Sequence, residues 1–505
     1  MSTDLVNIIF GMKVRQARTE VNLSLSDLAK RAGLSPSYLT EIEKGRKYPR
    51  NDKIMRMASV LGKEYDDLVS IKLRPSLGYL EAALSSSILG RFPFAEFGFE
   101  REDLVNLLTR EPEKASALLH AILEIARRYD LREEDFLRAA LRSYQEIHEN
   151  YFPELEQAAQ AFTHELGAKY DFPADAPLNQ DTLLAILQQE YGYKVDNEMI
   201  AQQSELNGYR SVFVAGERPL LLINNRLYPR QIKFLLAREL GYQYLQLQER
   251  STTSTPDEVT SFNQLLHDFK AAYFGGALLM PRATIVADLE QFFSLETWQP
   301  DVLNAMLARY DVTPEMLFYR FSELIPQHFG IKIHFLRYHQ IGEKYRLIKE
   351  LNMNQLMVPS GIGLDEHFCR RWLSVRLLRE ISAAQETGEW ERFPPPDIHI
   401  SRFYNSTDQF VALGFARSLL LTSGVNSSVT VGFRLTPDLY NKIRFLNDPA
   451  IAHVTINETC ERCPLLDCEV RAAPPTVLEA EQAKERRQLA LQQVNYHTSS
   501  AEIAQ

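Results

Sequence analysis

The sequence predicts a multidomain protein, mainly α-helical, with an α/β region in its C-terminal half. Three observations predict it. The chain has 505 residues, too many for one hydrophobic core. Apolar residues recur at helical spacing to about residue 170, and short β-branched and aromatic runs join the helical patterns after about residue 178. Charge is uneven: residues 1–75 carry 14 Lys/Arg and 9 Asp/Glu, a net of +5, so the rest nets −15 of the chain's −10. A basic head on an acidic body fits a nucleic-acid-binding module joined to something else.

The composition, 45% hydrophobic and 24% charged, is that of a soluble globular protein. No apolar run reaches membrane-spanning length, and the N-terminus lacks a basic stretch followed by an apolar one. Four cysteines are too few for a secreted disulfide scaffold. The expected setting is the cytoplasm, with no membrane partner. The expected divisions are a head at 1–72, a helical linker or dimerisation region at 73–175, a domain at 176–300, a sensor domain at 301–475, and a charged helix with a tail at 476–505.

In the head, Val14 and Ala17, Leu28 and Ala29, Leu39 and Ile42, then Ile54, Met57, Ala58 and Leu61 keep helical spacing. Ser24 is placed to cap a helix ending at Ala32, and Gly33 to supply a turn. Ser35 precedes Pro36 as the cap of a second helix that Gly45 closes. Two short helices joined by a tight turn are a helix-turn-helix. The stretch resembles the Cro/repressor-type (XRE) family through Leu28-Ala29, Gly33, Leu39, Ile42-Glu43-Lys44-Gly45-Arg46 and Pro49. The resemblance implies that the second helix, Pro36–Lys44, enters the major groove of double-stranded DNA. Ser37, Tyr38, Glu41 and Thr40 are then the candidates for base edges, with Ser35 at the helix start. Lys44, Arg46 and Lys47 suit phosphate contact. Operators of this family are usually two-fold, so a homodimer is expected.

The stretch EDLVNLLTREPEKASALLHAILEIARRYD predicts helices, and residues 133–170 read as one long helix interrupted near Pro153. From about Leu178 the pattern changes. SVFVAGERPLLLINN reads as two strands joined at Glu217-Arg218-Pro219, followed by a helix through Ala237-Arg238-Glu239-Leu240-Gly241-Tyr242. This resembles the zinc-peptidase-like domain of the ImmA/IrrE type, whose A-H-E-L-G-H helix binds zinc through two histidines. Here Arg238 and Tyr242 stand at both histidine positions and only Glu239 matches. FKAAYFGGALLMPR resembles the second helix of that family, with Asp268 and Lys270 near the place of its acidic ligand. The resemblance thus implies a degenerate zincin-like α+β domain without catalytic residues. Arg238 beside Glu239 is a candidate for an internal ion pair or for contact with an anionic ligand.

Three of the four cysteines, Cys460, Cys463 and Cys468, fall in C-x2-C-x4-C spacing, and the fourth, Cys369, lies 91 residues upstream. Thiolates at three close positions and one distant one suit an iron–sulfur cluster or structural zinc. The run from Cys460 to Cys468, continued through Arg471-Ala472-Ala473-Pro474-Pro475, is similar to the C-terminal signature of the short-chain fatty acyl-CoA regulators. These are transcription factors built as XRE head, peptidase-like middle and C-terminal cysteine domain. The resemblance implies a [4Fe-4S] cluster on Cys369, Cys460, Cys463 and Cys468, and an acyl-CoA effector. Strand-like runs in residues 315–360 and 397–435 fit an α/β sensor with a mostly antiparallel sheet. Arg370, Arg371, Arg417 and Arg434 are the candidates for the anionic end of that ligand.

Overall fold

A computed structural model describes residues 3–70, 93–98, 132–173, 176–254, 258–358, 365–388, 394–404 and 406–503. The predicted helices at 102–130 lie outside these residues. The chain forms two compact units, residues 1–144 with 260–262, and residues 145–259 with 263–505.

The first unit carries the head, with helices α1 (Thr3–Glu20), α2 (Leu25–Ala32), α3 (Pro36–Glu43), α4 (Asn51–Leu61) and α5 (Tyr65–Val69). Every apolar position picked out by helical spacing is buried, and together they form one core with Phe10, Ala32 and Leu68. Ser24 caps α2 by accepting from the Asp27 amide, and Ser35 caps α3 by accepting from Tyr38. Gly33 takes a left-handed conformation at φ +67°, which ends α2. Gly11 lets α1 lie against the end of α3, because a Cβ there would stand 2.3 Å from the Ile42 carbonyl oxygen. Buried Glu43 receives a two-pronged bond from Arg18 at 2.6 and 2.9 Å, which ties the end of α3 to α1.

The second unit begins as α6 (Glu133–Ile147) ends. Glu149 and Asn150 have positive φ, and α7 (Pro153–Tyr170) restarts with Pro153 in its first turn. The predicted interruption is thus a break of five residues, 148–152, between two helices. α8 (Gln180–Tyr191) leads into a small sheet in which β1 (Lys194–Asp196) runs parallel to β3 (Leu220–Ile223) and β2 (Ser211–Val214) antiparallel to it. α9 (Pro229–Tyr244) and α10 (Phe262–Leu279) then cross with backbones nearly touching. A Cβ on Gly241 would lie 2.7 Å from the Ala271 carbonyl, and one on Gly275 would lie 2.9 Å from the Arg238 nitrogen. α11 (Arg282–Phe293), α12 (Pro300–Tyr310) and α13 (Pro314–Phe329) complete the helical layer.

The unit ends in a six-stranded sheet, β4 (Ile333–Ile341), β5 (Lys344–Asn352), β6 (Asp397–Phe403), β7 (Gln409–Ser418), β8 (Val425–Arg434) and β9 (Ala452–Ile456), in the order β5-β4-β8-β7-β6-β9. All neighbours are antiparallel except β6 with β9. β8 is buried along nearly its whole length, because both faces are covered. Val429, Val431 and Phe433 join the main core with residues of α13. On the other face α14 (Leu373–Thr387) lies over Ala412 and Ala416. It sits so close that a Cβ on Gly414 would meet Leu377 at 2.8 Å. Two last helices, α15 (Pro437–Lys442) and α16 (Thr476–Ile503), follow, with most of residues 479–493 exposed. No helix among the described residues is long and apolar enough to cross a membrane.

Candidate functional site

Three places hold the residues singled out by the sequence. The first is α3. Ser35 and Ser37 are exposed at its start with their hydroxyls 3.3 Å apart, and Ser35 is engaged as the cap. Thr40 donates its hydroxyl to the Pro36 carbonyl at 2.9 Å, which leaves its methyl as the free contact group. Tyr38 is half-buried, with the Lys53 ammonium 4.1 Å and the Lys47 ammonium 5.7 Å from its ring centre. Glu41 and Arg46 pair at 3.3 Å, and Arg46 and Lys47 are exposed. The face of α3 is therefore a polar and aromatic surface fringed by cations. Lys53 belongs to that fringe. Its place on α4, fifteen residues after Tyr38, hid it from a reading of α3 alone.

The second place is the α9–α10 crossing. Arg238 donates to the Tyr242 hydroxyl at 2.9 Å, and Tyr242 donates to Asp268. Glu239 is not the ion-pair partner of Arg238. Its carboxylate takes both arms of Arg250, each at 2.8 Å, because Arg250 enters between two aromatic faces, 3.6 Å from the Phe213 ring centre and 3.9 Å from that of Tyr242. Tyr193 adds a bond to Glu239 at 3.2 Å. Burial and the nearby carboxylates drive the Tyr193 and Tyr242 phenols well above their usual range, so both stay protonated donors. A guanidinium thus supplies the positive charge beside the surviving glutamate. Nothing in the local spacing marks Arg250, which arrives from the loop after α9.

The third place is the cysteine loop. Phe368 and Thr459 form an antiparallel bridge. Cys369 donates its amide to the Glu458 carbonyl at 3.1 Å, and Cys460 donates to His367 at 2.8 Å. Cys369, Cys460 and Cys463 are buried, Cys468 is half-buried, and all four thiols are free. Burial pushes the Cys369 thiol up, and the neighbouring Cys460 and Cys463 push it further. The Ala472 amide points at the Cys460 sulfur, 3.4 Å away. Arg471 holds the loop by donating to the Cys460 and Cys463 carbonyls at 2.7 Å, and to those of Leu465 and Ala473. Among the described residues, no three His, Cys, Asp or Glu side chains form a group set to hold a metal ion. The four free thiols are of the donor type that a thiolate-bound group requires, but the described residues do not gather three of them into a ligand set.

The four candidate arginines do not converge. Arg370 lies over the Tyr345 ring. Arg371 lines a surface groove with Arg402 beside the cysteine loop. Arg434 pairs with Asp408. Arg417 faces inward, pairs with Glu315 at 2.9 Å and lines a separate cavity.

Comparison with known proteins agrees with this geometry in two segments. Residues 14–68 match the helix-turn-helix family, and residues 194–322 match the family described as the IrrE N-terminal-like domain. The chain is thus an α/β multidomain protein with a helix-turn-helix head and an IrrE-like domain. No curated protein matches the chain. Among solved structures, a Mycobacterium tuberculosis transcriptional regulator aligns at 17% identity with a TM-score of 0.45, covering 66% of this chain and 92% of its own.

Proposed function

We propose that this chain is a sequence-specific, DNA-binding transcriptional regulator of carbon metabolism, homodimeric and cytoplasmic, with a short-chain acyl-CoA as its effector. The observation that carries the reading is the outer face of α3, a capped helix with Ser37, Tyr38 and Glu41 presented between cations in a segment that matches the helix-turn-helix family. In this reading the IrrE-like domain is a scaffold, since Arg238 and Tyr242 replace the two metal-binding histidines. Cys369, Cys460, Cys463 and Cys468 would hold a [4Fe-4S] cluster, or structural zinc in its place. When bound, a cluster adds one-electron chemistry, and the regulator then also reports redox or iron status. The chain's own part is to fix two short segments against each other, through the bridge at Phe368–Thr459 and the Arg471 clasp.

The test is binding of the full chain to the duplex upstream of its own gene, across a salt series. Replacing Arg46 and Lys47 with Ala should weaken binding to every duplex and flatten the log–log salt slope by about 1–2. Replacing Ser37 or Tyr38 should chiefly change which sequence is preferred. A full chain that binds no duplex at low salt overturns the reading.

A further inference from the structure

Between the IrrE-like helices and the six-stranded sheet lies a cavity of about 220 Å³. Its floor is the sheet face turned toward α13, and its wall includes Phe234, Met280, Met316 and Phe335. Five cations also line it: Arg210, Arg320, Arg337, Lys349 and Arg417. Against them stand two lining carboxylates, Glu315 and Glu323, and Glu156 behind the wall. Arg417 is matched by Glu315, and Arg320 by Glu156 and Glu323. Arg210, Arg337 and Lys349 stand outside these pairs.

Arg337 and Lys349 sit directly opposite each other on β4 and β5, and like charges across a strand pair repel. The register shifts immediately after them, a β-bulge of the kind that re-aims side chains next to functional sites. Lys349 is an exposed residue whose ammonium stands 3.5 Å from the centre of the Tyr319 ring. Burial, only partly offset by Glu323 and made worse by Arg337, pulls the Lys349 ammonium down to about 8. Burial and the surrounding guanidiniums likewise lower Arg210, to about 10, and Arg337. Glu315 is shared among Arg417, Arg337 and Arg210, and Glu323 between Arg320 and Lys349, so the cations lining the cavity outnumber its carboxylates.

We propose that this cavity is a binding site for a small organic polyanion, a di- or tricarboxylate or a phosphate ester, held by Arg210, Arg337 and Lys349 with its carbon skeleton against Phe234, Met316 and Phe335. The volume falls below the ~300–1,000 Å³ of pockets for drug-sized ligands, so the occupant is smaller than a complete coenzyme A thioester. The site is independent of the DNA-binding and acyl-CoA readings: a chain that binds neither would still hold the anion.

Citrate, succinate and inorganic phosphate, with glycerol as the neutral control, are titrated into the full chain by calorimetry and thermal melting. At least one anion should bind once per chain and raise the melting temperature, and glycerol should do neither. Arg337→Met and Lys349→Met should each cut the affinity about tenfold or more. Because each removes a repelled cation, the ligand-free melting temperature of both should stay level or rise. Lys349 faces the Tyr319 ring, Glu323 on α13 and Arg337 on β4. Binding should therefore weaken from about pH 7 to about pH 9 as its ammonium is lost and as Glu323, whose carboxyl is raised to about 7, ionises in the same cavity, and Lys349→Arg should bind with a shallower slope. Failure of all three anions to bind at about 1 mM, or equal binding by the Met variants, overturns the proposal.

Discussion

At the scale of single residues, the most informative group is Arg250. Glu239 and Arg250 are both nearly buried, with side chains 4% and 11% exposed. The two-pronged bond and the aromatic faces of Phe213 and Tyr242 make up for the loss of water. Removing one partner leaves the other charge buried without compensation, which costs about 3–5 kcal/mol. Arg250→Met should lower the stability of the second unit by that amount. The double variant Arg250→Met/Glu239→Gln, which removes both charges, should recover much of it. A double-mutant cycle by thermal unfolding measures the coupling, and strictly additive losses would show that the pair does not hold the site together. The replaced histidines were legible through the resemblance of Ala237–Tyr242 to the family's helix. Arg250 was not legible, because a partner brought by a loop leaves no periodic trace.

At the scale of elements, helices with caps and strands with turn signals were legible. Ser24, Ser35, Gly33 and Pro153 each sit where their backbone preferences place them. Less legible was residues 314–329, whose aromatic and β-branched content reads in part as strand but which form α13, with β4 starting only at Ile333. There packing against both the sheet and the helical layer decides the state, and local propensity is overridden. The sheet also contains a titration that no pattern announces. His334 on β4 is buried, with Nδ1 3.2 Å from Asn354 Oδ1 and its ring filling the space left by Gly432. Burial, partly offset by the Asn354 bond, pulls its pKa down to about 4. The folded state thus refuses a proton that the unfolded chain accepts near 6.5, so the unfolded state binds more protons between the two values. Stability from this ring is complete above about pH 6.5 and is lost as pH falls toward 4. Glu323 has the opposite sign, its carboxyl being raised to about 7 chiefly by burial, while His339 and His399 are lowered by burial to about 4 like His334, so the contribution of one ring is read from the difference between variant and parent. His334→Gln should unfold with a shallower loss of melting temperature between about pH 7 and about pH 5 than the parent. Identical slopes would mean that the ring does not titrate with folding.

At the scale of the whole chain, charge asymmetry and cysteine clustering were readable because both are properties of composition in short windows. The cation-lined cavity was not, since Arg210, Arg337, Lys349 and Arg417 come from four separate stretches and meet only through sheet register. The cysteines link these levels. The bridge at Phe368–Thr459 sets Cys369 beside a loop 91 residues further along the chain, and closing so long a loop carries an entropic cost. The loop has little apolar content of its own, with Leu466 72% exposed. It is held by the Arg471 clasp and by Arg462, which binds Glu366 through two contacts at 2.8 Å. Those bonds are partly open to water, where ion pairs contribute little. A group bound by the four thiolates would add the missing closure and transmit its loss to both segments. In protein prepared without oxygen, Cys463→Ser should therefore lose visible absorbance together with iron and sulfide. Amide exchange should rise across 458–475 and around 366–372, while the head, which has a core of its own, keeps its protection. Parent protein free of both iron and zinc, or a variant with unchanged spectrum and exchange, would refute the shared site. Zinc in place of iron would preserve the four ligands and remove the redox role.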